Sequence, residues 1–578
     1  MDEKHEERGA IPLSGSFAKL LLILIAVAWF AGIEQRGLFF PDEGRYAEIP
    51  REMTATGDWI TPRLNGLKYF EKPPLQYWMT AGAFAAFGED EWTARIMPAI
   101  LGLASVLMIA FAGMRLWGPP SGVIAGLVLG SSWAYFLSGQ FLTLDMTFSA
   151  CLAFGLAAFL LAQGADASDK ARFRFMCAAW LSIALGVLAK GLAALVLPGL
   201  ALCLYSAMTR DIRLWGRLHI MAGVTILAIV ALPWFLLVQQ HNPEFFDFFV
   251  VREHLQRFSE SGHSRPGAWW YYVPILLLGF MPWTPAIMHQ LVTGQWPARR
   301  AGFNHELFCI AWIVAIVVFF SISRSKLPAY VVPVFPALAL LAGSRFRDPG
   351  NSSPSFVIAG WGSIVAGAAV LVGTLWLPGW RKFDLLGPDA LQAMVWLHAA
   401  SGVLIVAGAA EIALLRWRHF RGALAVLAIG SFCFWHLLSA FMHEVDANYS
   451  SERLIEELTG DTKPFHPDAP VYSVAHFDHS VPFYLGRTVT LVDVRGELGP
   501  GIDAEPHKVI PSIGQFAAAW VASQGNAFAL MPPAIFEELR RTGLPMRVII
   551  RDRRLVVVSR EVADHLRQPT EIPRLSPD

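Results

Sequence analysis

Long apolar runs, separated by short polar segments, follow one another along the chain as far as residue 441. A helix that crosses a membrane needs about 20 mainly apolar residues, and about thirteen runs approach that length. The runs are 17–34, 94–115, 119–137, 144–163, 174–189, 191–207, 218–239, 269–289, 305–322, 329–344, 355–377, 392–415 and 420–441. The pattern predicts a mainly α, polytopic membrane protein with about thirteen transmembrane helices, whose first span is retained rather than cleaved as a signal peptide.

The apolar pattern changes after about residue 444. Short strand-like runs begin to alternate with helix-like stretches, which is typical of an α/β domain. The strand-like runs are Val471–Val474, Thr488–Val494, Ala527–Met531, Met546–Ile550 and Leu555–Ser559, and the helix-like stretches are Ser451–Leu458, Ile513–Ser523 and Ala534–Arg541. The run RDRR at 551–554 is predicted to turn a hairpin. We therefore divide the chain into a transmembrane domain, 1–443, and a C-terminal α/β domain, 444–578.

Basic residues collect in alternate loops between the predicted spans. Because cytoplasmic loops carry an excess of Lys and Arg, these loops and the N-terminus are predicted to be cytoplasmic. The residues are Arg115, Lys170, Arg172, Arg174, Arg210, Arg213, Arg217, Arg299, Arg300, Arg345, Arg347, Arg416, Arg418 and Arg421. An odd number of spans then places the first loop, Phe40–Trp78, and the C-terminal domain on the opposite face.

The composition agrees with a membrane protein and argues against other classes. The chain is 54% hydrophobic and 16% charged, with a mean hydropathy of +0.45, whereas about a quarter of the residues of a soluble globule are charged. The formal net charge is zero, which gives no support for a nucleic-acid partner. The cysteines all fall in apolar runs, so no disulfide framework is predicted. They are Cys151, Cys177, Cys203, Cys309 and Cys433.

The first loop, Phe40–Trp78, is much more highly charged than the chain as a whole. Such a loop, held against a bilayer surface, indicates chemistry at that surface rather than a simple connection. Its eleven charged residues are Asp42, Glu43, Arg45, Glu48, Arg51, Glu52, Asp58, Arg63, Lys68, Glu71 and Lys72.

Asp42 and Glu43 follow a proline and begin a helix-like run, Glu43–Met53. Acids are favoured at a helix N-terminus for electrostatic reasons alone. The alternative is that one carboxylate faces a site at the membrane surface. Because adjacent side chains point in different directions, at most one of the two is expected to act directly.

Asp145 lies in a second loop of the same face, in LTLDMT at the start of a predicted span. An acid at a membrane boundary is costly unless it faces protein or water. It could cap the helix, although Thr143 would serve equally well. It could also converge with Asp42 on one cleft, as carboxylate pairs often do in acid and base catalysis.

Basic and aromatic residues of this face could bind an anion. Lys72 is fixed between Glu71 and two prolines, close to Tyr69. Such cations suit the phosphate of a lipid-linked molecule, although non-specific contact with lipid head groups is the alternative. The other candidates are Arg252, His254, Arg257, His263 and Arg265 in the loop His241–Pro266, and Arg324, Lys326 and Tyr330 in SRSKLPAY.

Two further features bear on the class of function. Glu71, His254 and His263 could form a zinc site from N and O ligands, although the nine-residue spacing of the histidines is not a recognised one. Few charges lie deep within the predicted spans, which argues against a transporter of lipid-linked sugars. Lys190 is the main exception, and it is predicted to lie in a loop between two short spans.

The combination of an acidic pair after the first span, many spans and a C-terminal domain outside the membrane resembles the GT-C glycosyltransferases. Within them, PDEGRYAEIPREMTATGDWITPRLNGLKYFEKPPLQYW and SRSKLPAY are similar to the aminoarabinose transferases of lipid A modification. The resemblance implies an enzyme of the inner membrane of a Gram-negative bacterium. It would transfer aminoarabinose from undecaprenyl phosphate to a phosphate of lipid A on the periplasmic side, which weakens the binding of polymyxin and other cationic peptides.

The resemblance also implies roles for single residues. Asp42 and Asp145 correspond to acids near the reacting centre. Lys72 and Arg257 correspond to groups that hold the donor phosphate, with Tyr69 and Tyr330 nearby; Glu43, Arg45, Arg324 and Lys326 are further candidates. The resemblance implies no cofactor for the chemistry, and a structural zinc ion is its weaker implication.

The acceptor decides what Asp42 has to do. A phosphate acceptor is ionised near neutral pH and hardly needs a base, so Asp42 would orient the acceptor, stabilise an oxocarbenium-like centre or bind the amine of the sugar. The alternative enzyme, a protein O-glycosyltransferase, would need a base for a Ser or Thr hydroxyl. A flippase for lipid-linked sugars is the third hypothesis.

Overall fold

The computed structural model describes residues 15–165, 167–249, 267–293, 302–346, 349–379, 390–460, 465–523 and 527–560. These residues form two compact units. The first consists of the segments up to Arg36, Met53–Pro62 and Phe70–Asp446. The second consists of Gly37–Glu52, Arg63–Tyr69 and the segments from Ala447 onwards. Two pieces of the charged first loop thus belong to the same unit as the C-terminal region.

The first unit is built from apolar helices. Among the described residues, nine helices are long and apolar enough to span a membrane. They are Glu91–Trp117, Leu144–Ala162, Asp169–Lys190, Ile220–His241, His305–Ile322, Pro328–Arg345, Ser353–Gly379, Ala390–Arg416 and Phe420–Glu444. Two bent helix pairs would raise the number to eleven. Two shorter apolar helices are Gly15–Phe30 and Ala193–Thr209. A polytopic helical membrane protein is therefore confirmed, whereas the count of about thirteen is not.

Two predicted single spans, 119–137 and 269–289, are each broken by a bend. The first consists of Pro119–Ser131 and Trp133–Gln140, at 61°, and the second of Tyr272–Gly279 and Thr284–Thr293, at 108°. In the first break the hydroxyls of Ser131 and Ser132 donate to carbonyls four residues earlier, which weakens the helix ladder. In the second break Pro282 supplies no N–H.

The two breaks satisfy each other's polar groups. The backbone N–H of Trp133 donates to the carbonyl of Met281 at 3.1 Å. The indole N–H of Trp283 donates to Ser131 Oγ at 3.0 Å. Irregular backbone at membrane depth is tolerated only where protein or water satisfies it. Here the partner is protein, since each break supplies a hydrogen-bond acceptor to the other.

The helix Leu144–Ala162 lies at the centre of the first unit. Its apolar window is 89% buried inside the protein, against 17% for Ile220–His241. A helix that packs on neighbours all round holds its first turn rigidly, and that turn carries Asp145. Shorter elements among the described residues are the helices Asp42–Thr56, Leu75–Phe87 and Arg213–Gly216 and the strand pair Arg63–Leu64 and Leu67–Lys68.

The C-terminal region folds around a six-stranded mixed sheet. The strand order is Val509–Ile510, Thr490–Val492, Val471–Val474, Phe528–Met531, Val556–Ser559 and Arg547–Arg551. The first four strands are parallel, and the last two pair antiparallel as the predicted hairpin. Its helices are Glu452–Thr459, Ser480–Leu485, Gly499–Ala504, Ile513–Ala522 and Pro533–Arg541. The predicted α/β domain is confirmed, and its core includes the fully buried Phe516 and Trp520.

Candidate functional site

An ion pair between two membrane helices is the clearest polar feature of the first unit. Asp145 lies in the first turn of Leu144–Ala162, and Lys190 is the last residue of Asp169–Lys190. Lys190 Nζ donates to Asp145 Oδ1, and the two side chains are 15% and 17% exposed. Thr143, not Asp145, occupies the N-cap position of the helix. The observed partner of Asp145 is therefore a cation from another helix.

Aromatic rings surround the ammonium of Lys190. Its Nζ lies 4.6 Å from the ring centroid of Tyr330 and 5.4 Å from that of Phe148. Tyr330 itself packs on Phe320, with ring centroids 4.9 Å apart. Such contacts favour a cation where it is partly withdrawn from water. Within the described part of the chain, Asp145 is the one hydrogen-bond acceptor of Lys190. An ammonium has three N–H donors, so two remain for an anionic ligand.

Lys190 is a candidate site residue that sequence reasoning did not select. It was predicted to lie in a loop between short spans, and it instead ends a helix and joins Asp145 and Tyr330. One signal was present in the sequence: a single Lys in the apolar run GVLAKGLAA. An ionisable residue in an apolar span usually faces a partner inside the protein and is a site hypothesis by default. Which acid was its partner could not be read from the sequence.

Asp42 and Glu43 begin the helix Asp42–Thr56 but have different surroundings. The Glu43 side chain is buried, and its Oε2 accepts the backbone N–H of Phe39 at 3.2 Å. This contact resembles a capping box and gives Glu43 a role in the local fold. The side chain of Asp42 is 56% exposed, and its Oδ1 accepts a hydrogen bond from Arg45 Nη2. Of the two acids, Asp42 is the one that a substrate can reach.

Arg45 connects several groups of the second unit. It is buried, and its Nη1 donates to Tyr69 Oη at 2.9 Å and to Glu497 Oε2 at 2.6 Å. The other oxygen of Glu497 lies 2.5 Å from His479 Nε2. Buried charges are stable only when they are paired and hydrogen-bonded. The guanidinium is therefore fixed from several sides, and it holds Asp42 in place.

Three further charges of the same helix point into the second unit. Arg51 binds both oxygens of Glu48, at 2.6 and 2.8 Å. The carboxylate of Glu52 accepts the N–H of Gly66 at 2.9 and 3.1 Å. Burial, together with the neighbouring Glu48, raises the pKa of Glu52 to about 8. Much of the charge that marked the first loop thus holds the second unit together.

Glu71 and Lys72 lie in the first unit, before two prolines and the helix Leu75–Phe87. Lys72 Nζ donates to the carbonyl of Glu71 at 2.9 Å and lies 4.0 Å from its carboxylate. Both side chains are partly exposed. A partly exposed ammonium on a rigid turn can present its charge to an anion.

Lys326 and Arg324 occupy different surroundings in SRSKLPAY. Lys326 is buried, and its Nζ donates to the carbonyls of Ser321 and Ser323 at 2.7 Å and to that of Phe320 at 3.4 Å. It thereby caps the C-terminus of His305–Ile322, where a cation is favoured by the helix dipole. These carbonyls account for the burial of Lys326 without any ligand. Arg324 is exposed.

Several predicted residues stay predictions. Arg257, His254 and His263 lie outside the described residues, and so do the proposed phosphate contact of Arg257 and the zinc set. Among the residues that are described, no group of three or more His, Cys, Asp or Glu could hold a metal ion. Asp42 and Asp145 belong to different compact units, and their convergence on one cleft also stays a prediction.

Comparison with known families gives two matches along the chain. The model described as "Aminoarabinose transferase C-terminal domain" matches residues 461–560. The model described as "Dolichyl-phosphate-mannose-protein mannosyltransferase" matches residues 20–249. The first covers the sheet-containing region, and the second covers the helices that carry Asp42, Asp145 and Lys190.

Individual proteins are similar over most of the chain. The undecaprenyl phosphate-alpha-4-amino-4-deoxy-L-arabinose arabinosyl transferase of Pseudomonas aeruginosa (strain UCBPP-PA14) is 31% identical, over 89% of this chain and 92% of its own. The protein of the same name from Edwardsiella ictaluri is 31% identical, over 70% and 74%. The crystal structure of ArnT from Cupriavidus metallidurans bound to undecaprenyl phosphate is 35% identical, covers 94% of this chain and 98% of its own, and has a TM-score of 0.85.

Proposed function

Because the chain belongs to the family of undecaprenyl phosphate-aminoarabinose arabinosyl transferases, we propose that it transfers 4-amino-4-deoxy-L-arabinose from undecaprenyl phosphate to a phosphate of lipid A. It is a membrane glycosyltransferase that uses a polyprenyl-phosphate sugar. The observation that carries the proposal is the similarity, along 94% of this chain, to a protein whose structure holds undecaprenyl phosphate. Three statements go beyond this similarity and are proposed here: that lipid A is the acceptor, that the protein lies in the inner membrane, and that its active site faces the periplasm.

The proposed location is the inner membrane of a Gram-negative bacterium, with the active site on the periplasmic side. This orientation is supported by the distribution of Lys and Arg. These residues collect in the loops on the other face, and such an excess is typical of cytoplasmic loops. The attached amine would offset negative charge on lipid A. Cells that contain the active enzyme would then bind polymyxin and other cationic peptides less strongly.

The proposed reaction exchanges one phosphate for another at C1 of the sugar. A phosphate oxygen of lipid A forms a bond to C1, the bond from C1 to the oxygen of undecaprenyl phosphate breaks, and the leaving phosphate takes the electron pair. The acceptor is ionised near neutral pH, so no base is required. The protein has to neutralise the charge that grows on the leaving phosphate and to stabilise positive charge on the sugar.

We assign the phosphate to the cations of the first unit. Lys190 has two N–H donors beyond its bond to Asp145, and Lys72 is partly exposed on a rigid turn. Asp145 would hold the ammonium of Lys190 beneath Tyr330, where it meets the phosphate. Arg257 is the further cation that the resemblance implies for this role.

We assign the sugar to Asp42. Its carboxylate is exposed and is oriented by Arg45, so it can face positive charge without rearrangement. This charge is either the oxocarbenium-like centre or the amine of the sugar. A structural zinc ion bound by Glu71, His254 and His263 stays a separate proposal, tested by metal analysis of the purified protein and of the His254→Ala variant.

Mass spectrometry of lipid A tests the proposal. A strain that makes the donor but lacks its own transferase is complemented with this chain or with its Asp42→Asn variant. The proposal predicts lipid A heavier by one aminoarabinose with the first and unmodified lipid A with the second. Unmodified lipid A in both, with the protein present in the membrane, would contradict the proposed acceptor. A sugar found on periplasmic proteins would support the O-glycosyltransferase alternative, which the match to a protein mannosyltransferase family over residues 20–249 keeps in view.

A further inference from the structure

His479 is a buried histidine of the second unit to which the proposed reaction gives no role so far. It lies between the strand Val471–Val474 and the short helix Ser480–Leu485, of which it is the N-cap residue. Its ring packs on that of Phe477, with the centroids 4.8 Å apart. A polar ring in such surroundings is expected to have hydrogen-bond partners, and these indicate what it does.

The polar contact of His479 is directed to a single carboxylate. Its Nε2 lies 2.5 Å from Glu497 Oε1. Because a carboxylate only accepts hydrogen bonds, Nε2 is the donor. Nδ1 is buried and has no hydrogen-bond partner among the residues that the structure describes. The orientation of the ring is therefore explained by its bond to Glu497.

The contacts continue from Glu497 to Asp42. Glu497 Oε2 accepts a hydrogen bond from Arg45 Nη1 at 2.6 Å, and Arg45 Nη2 donates to Asp42 Oδ1. All three bonds that join His479 to Asp42 include a charged group, and such bonds are stronger than neutral ones. Hydrogen bonds in a buried network also strengthen one another. A change at the histidine end is therefore expected to reach Asp42.

The backbone at His479 is held in place by the residue before it. The carboxylate of Asp478 is buried and accepts hydrogen bonds from Arg554 Nη1 at 2.7 Å and from Ser451 Oγ at 2.8 Å. It also accepts the backbone N–H and the hydroxyl of Ser480, at 2.9 and 2.7 Å. The imidazole of His479 thus extends from a rigid support.

The helix Asp42–Thr56 lies directly against this support. A Cβ built on Gly44 would lie 2.6 Å from the backbone nitrogen of Ser480 and 2.7 Å from the carbonyl carbon of His479. Such distances leave no room for a side chain between the two backbones. The first turn of the helix, which carries Asp42, is therefore fixed against His479 by close packing as well as by the hydrogen bonds.

We propose that His479 is a positioning residue for Asp42 in the transfer reaction. It acts through Glu497 and Arg45, which together hold the carboxylate of Asp42 toward the positive charge of the sugar. The inference rests on the proposed function, because that function assigns the sugar to Asp42. A charge that is oriented in advance stabilises the transition state without rearrangement. Loss of the orientation should therefore lower turnover more than it weakens binding of the donor.

Two amide variants of His479 provide a matched test. The side-chain N–H of His479→Gln can occupy about the place of Nε2 and donate to Glu497. His479→Asn carries the same amide on a shorter side chain and cannot reach that place. His466 supplies the control, since it also lies beside an acid of the second unit, Asp468, but is exposed and has its Nδ1 3.9 Å from the carboxylate.

The variants are compared by sugar transfer to lipid A, with the purified full-length protein in detergent. We expect His479→Asn to lower kcat about tenfold and to leave the KM for the donor within about twofold of the wild type. His479→Gln should retain kcat within about threefold, because the donor to Glu497 is kept. His466→Asn should behave as the wild type does. In an Asp42→Asn background, His479→Asn should cause little further loss, because the group that it positions is already gone.

Thermal unfolding of the same proteins requires no substrate. The shifts in thermal midpoint caused by His479→Asn and Asp42→Asn should be non-additive in the double variant, since the two residues belong to one network. The shifts of His466→Asn and Asp42→Asn should add. If the wild type transferred no sugar to lipid A, the proposed function would fail, and this comparison would still decide whether His479 is coupled to Asp42.

Three results would overturn the positioning role. The first is an equal kcat for His479→Asn and His479→Gln. The second is a loss caused by His479→Asn that is as large in the Asp42→Asn background as in the wild type. The third is additivity of the two shifts in thermal midpoint, which would make His479 a part of the fold that is not coupled to Asp42.

Discussion

Each compact unit contains an aspartate paired with a cation, and the two pairs differ in what surrounds them. In the second unit Asp42 is exposed, and its partner Arg45 is buried and bound from several sides. In the first unit Asp145 and Lys190 are both largely withdrawn from solvent, and Lys190 is bordered by aromatic rings. The member that can still bind a ligand is the carboxylate of Asp42 in one pair and the ammonium of Lys190 in the other.

The comparison teaches that a buried or paired charge is not by itself a sign of catalysis. The useful question is which member of a pair still has unused hydrogen-bonding capacity toward a ligand. For Asp42–Arg45 it is the carboxylate, which suits positive charge on a sugar. For Asp145–Lys190 it is the ammonium, which suits a phosphate. Lys326, whose Nζ meets three carbonyls, shows the case in which little capacity remains.

The largest effect is expected from Asp42→Asn. The change keeps the shape and the contact with Arg45 but removes the negative charge that would face the sugar. We expect turnover to fall on the order of 10³-fold, measured as sugar transfer by purified protein in detergent. Asp169→Asn is a matched control, since Asp169 is also in the first turn of a helix and pairs with the arginine three residues later, Arg172. A similar loss in both variants would remove the special role of Asp42.

The second effect concerns Lys190→Met. Loss of the ammonium leaves Asp145 with an uncompensated charge, which costs about 3 kcal/mol of stability, and it removes the phosphate contact that we propose for Lys190. We expect activity to fall about 100-fold and the thermal midpoint to drop. Adding Asp145→Asn should restore much of the stability but not the activity. If the double variant were no more stable than Lys190→Met alone, the two residues would not act as a pair.

A smaller effect is expected from Lys326→Met, and it should be of a different kind. The three carbonyls that Lys326 caps would lose their donor, which costs about 1–2 kcal/mol of stability. The KM for the donor should stay within about twofold of that of the wild type, because the ammonium of Lys326 is occupied by these carbonyls and has little capacity left for a phosphate. Thermal unfolding and kinetics on the same preparation separate the two quantities. A large rise in KM without a loss of stability would instead make Lys326 a phosphate contact.

The smallest effect concerns Glu52 and the pH dependence of stability. The pKa of Glu52 is raised to about 8 from an ordinary value of 4.5, so the folded state retains a proton that the unfolded state loses between these values. Stability from this group is therefore present below pH 4.5 and decreases as the pH rises toward about 8. Glu52→Gln should reduce the loss of thermal stability between pH 5 and about 8. An identical pH profile in the variant and the wild type would contradict this account.

The sequence predicted the strands and helices that show a regular apolar pattern within their own residues. Strands such as Val471–Val474 and helices such as Ile513–Ala522 were found at or within a few residues of their predicted bounds, since each has an apolar face of regular period. The strand Val509–Ile510 was missed because two residues carry no readable period. The bends at Ser132 and Pro282 were missed because the apolar run continues through each break, so the hydrophobic pattern does not mark it.

The site residues divide in the same way. Asp42 and Asp145 could be selected because acids beside an apolar span are unusual and because the flanking segments resemble a known family. The residues that form ion pairs with the site residues could not all be predicted from such local features. Arg45 meets Glu497, and Asp145 meets Lys190, across separations of 452 and 45 residues. No local pattern in a single sequence indicates which distant charges become neighbours after folding.

The division of labour between the two pairs can be tested by equilibrium binding of undecaprenyl phosphate to Asp42→Asn and Lys190→Met, measured side by side with the wild type. The account predicts that Asp42→Asn binds this anion within about twofold of the wild type although its turnover falls on the order of 10³-fold, and that Lys190→Met binds it at least about tenfold more weakly. Loss of binding in Asp42→Asn together with unchanged binding in Lys190→Met would contradict the account.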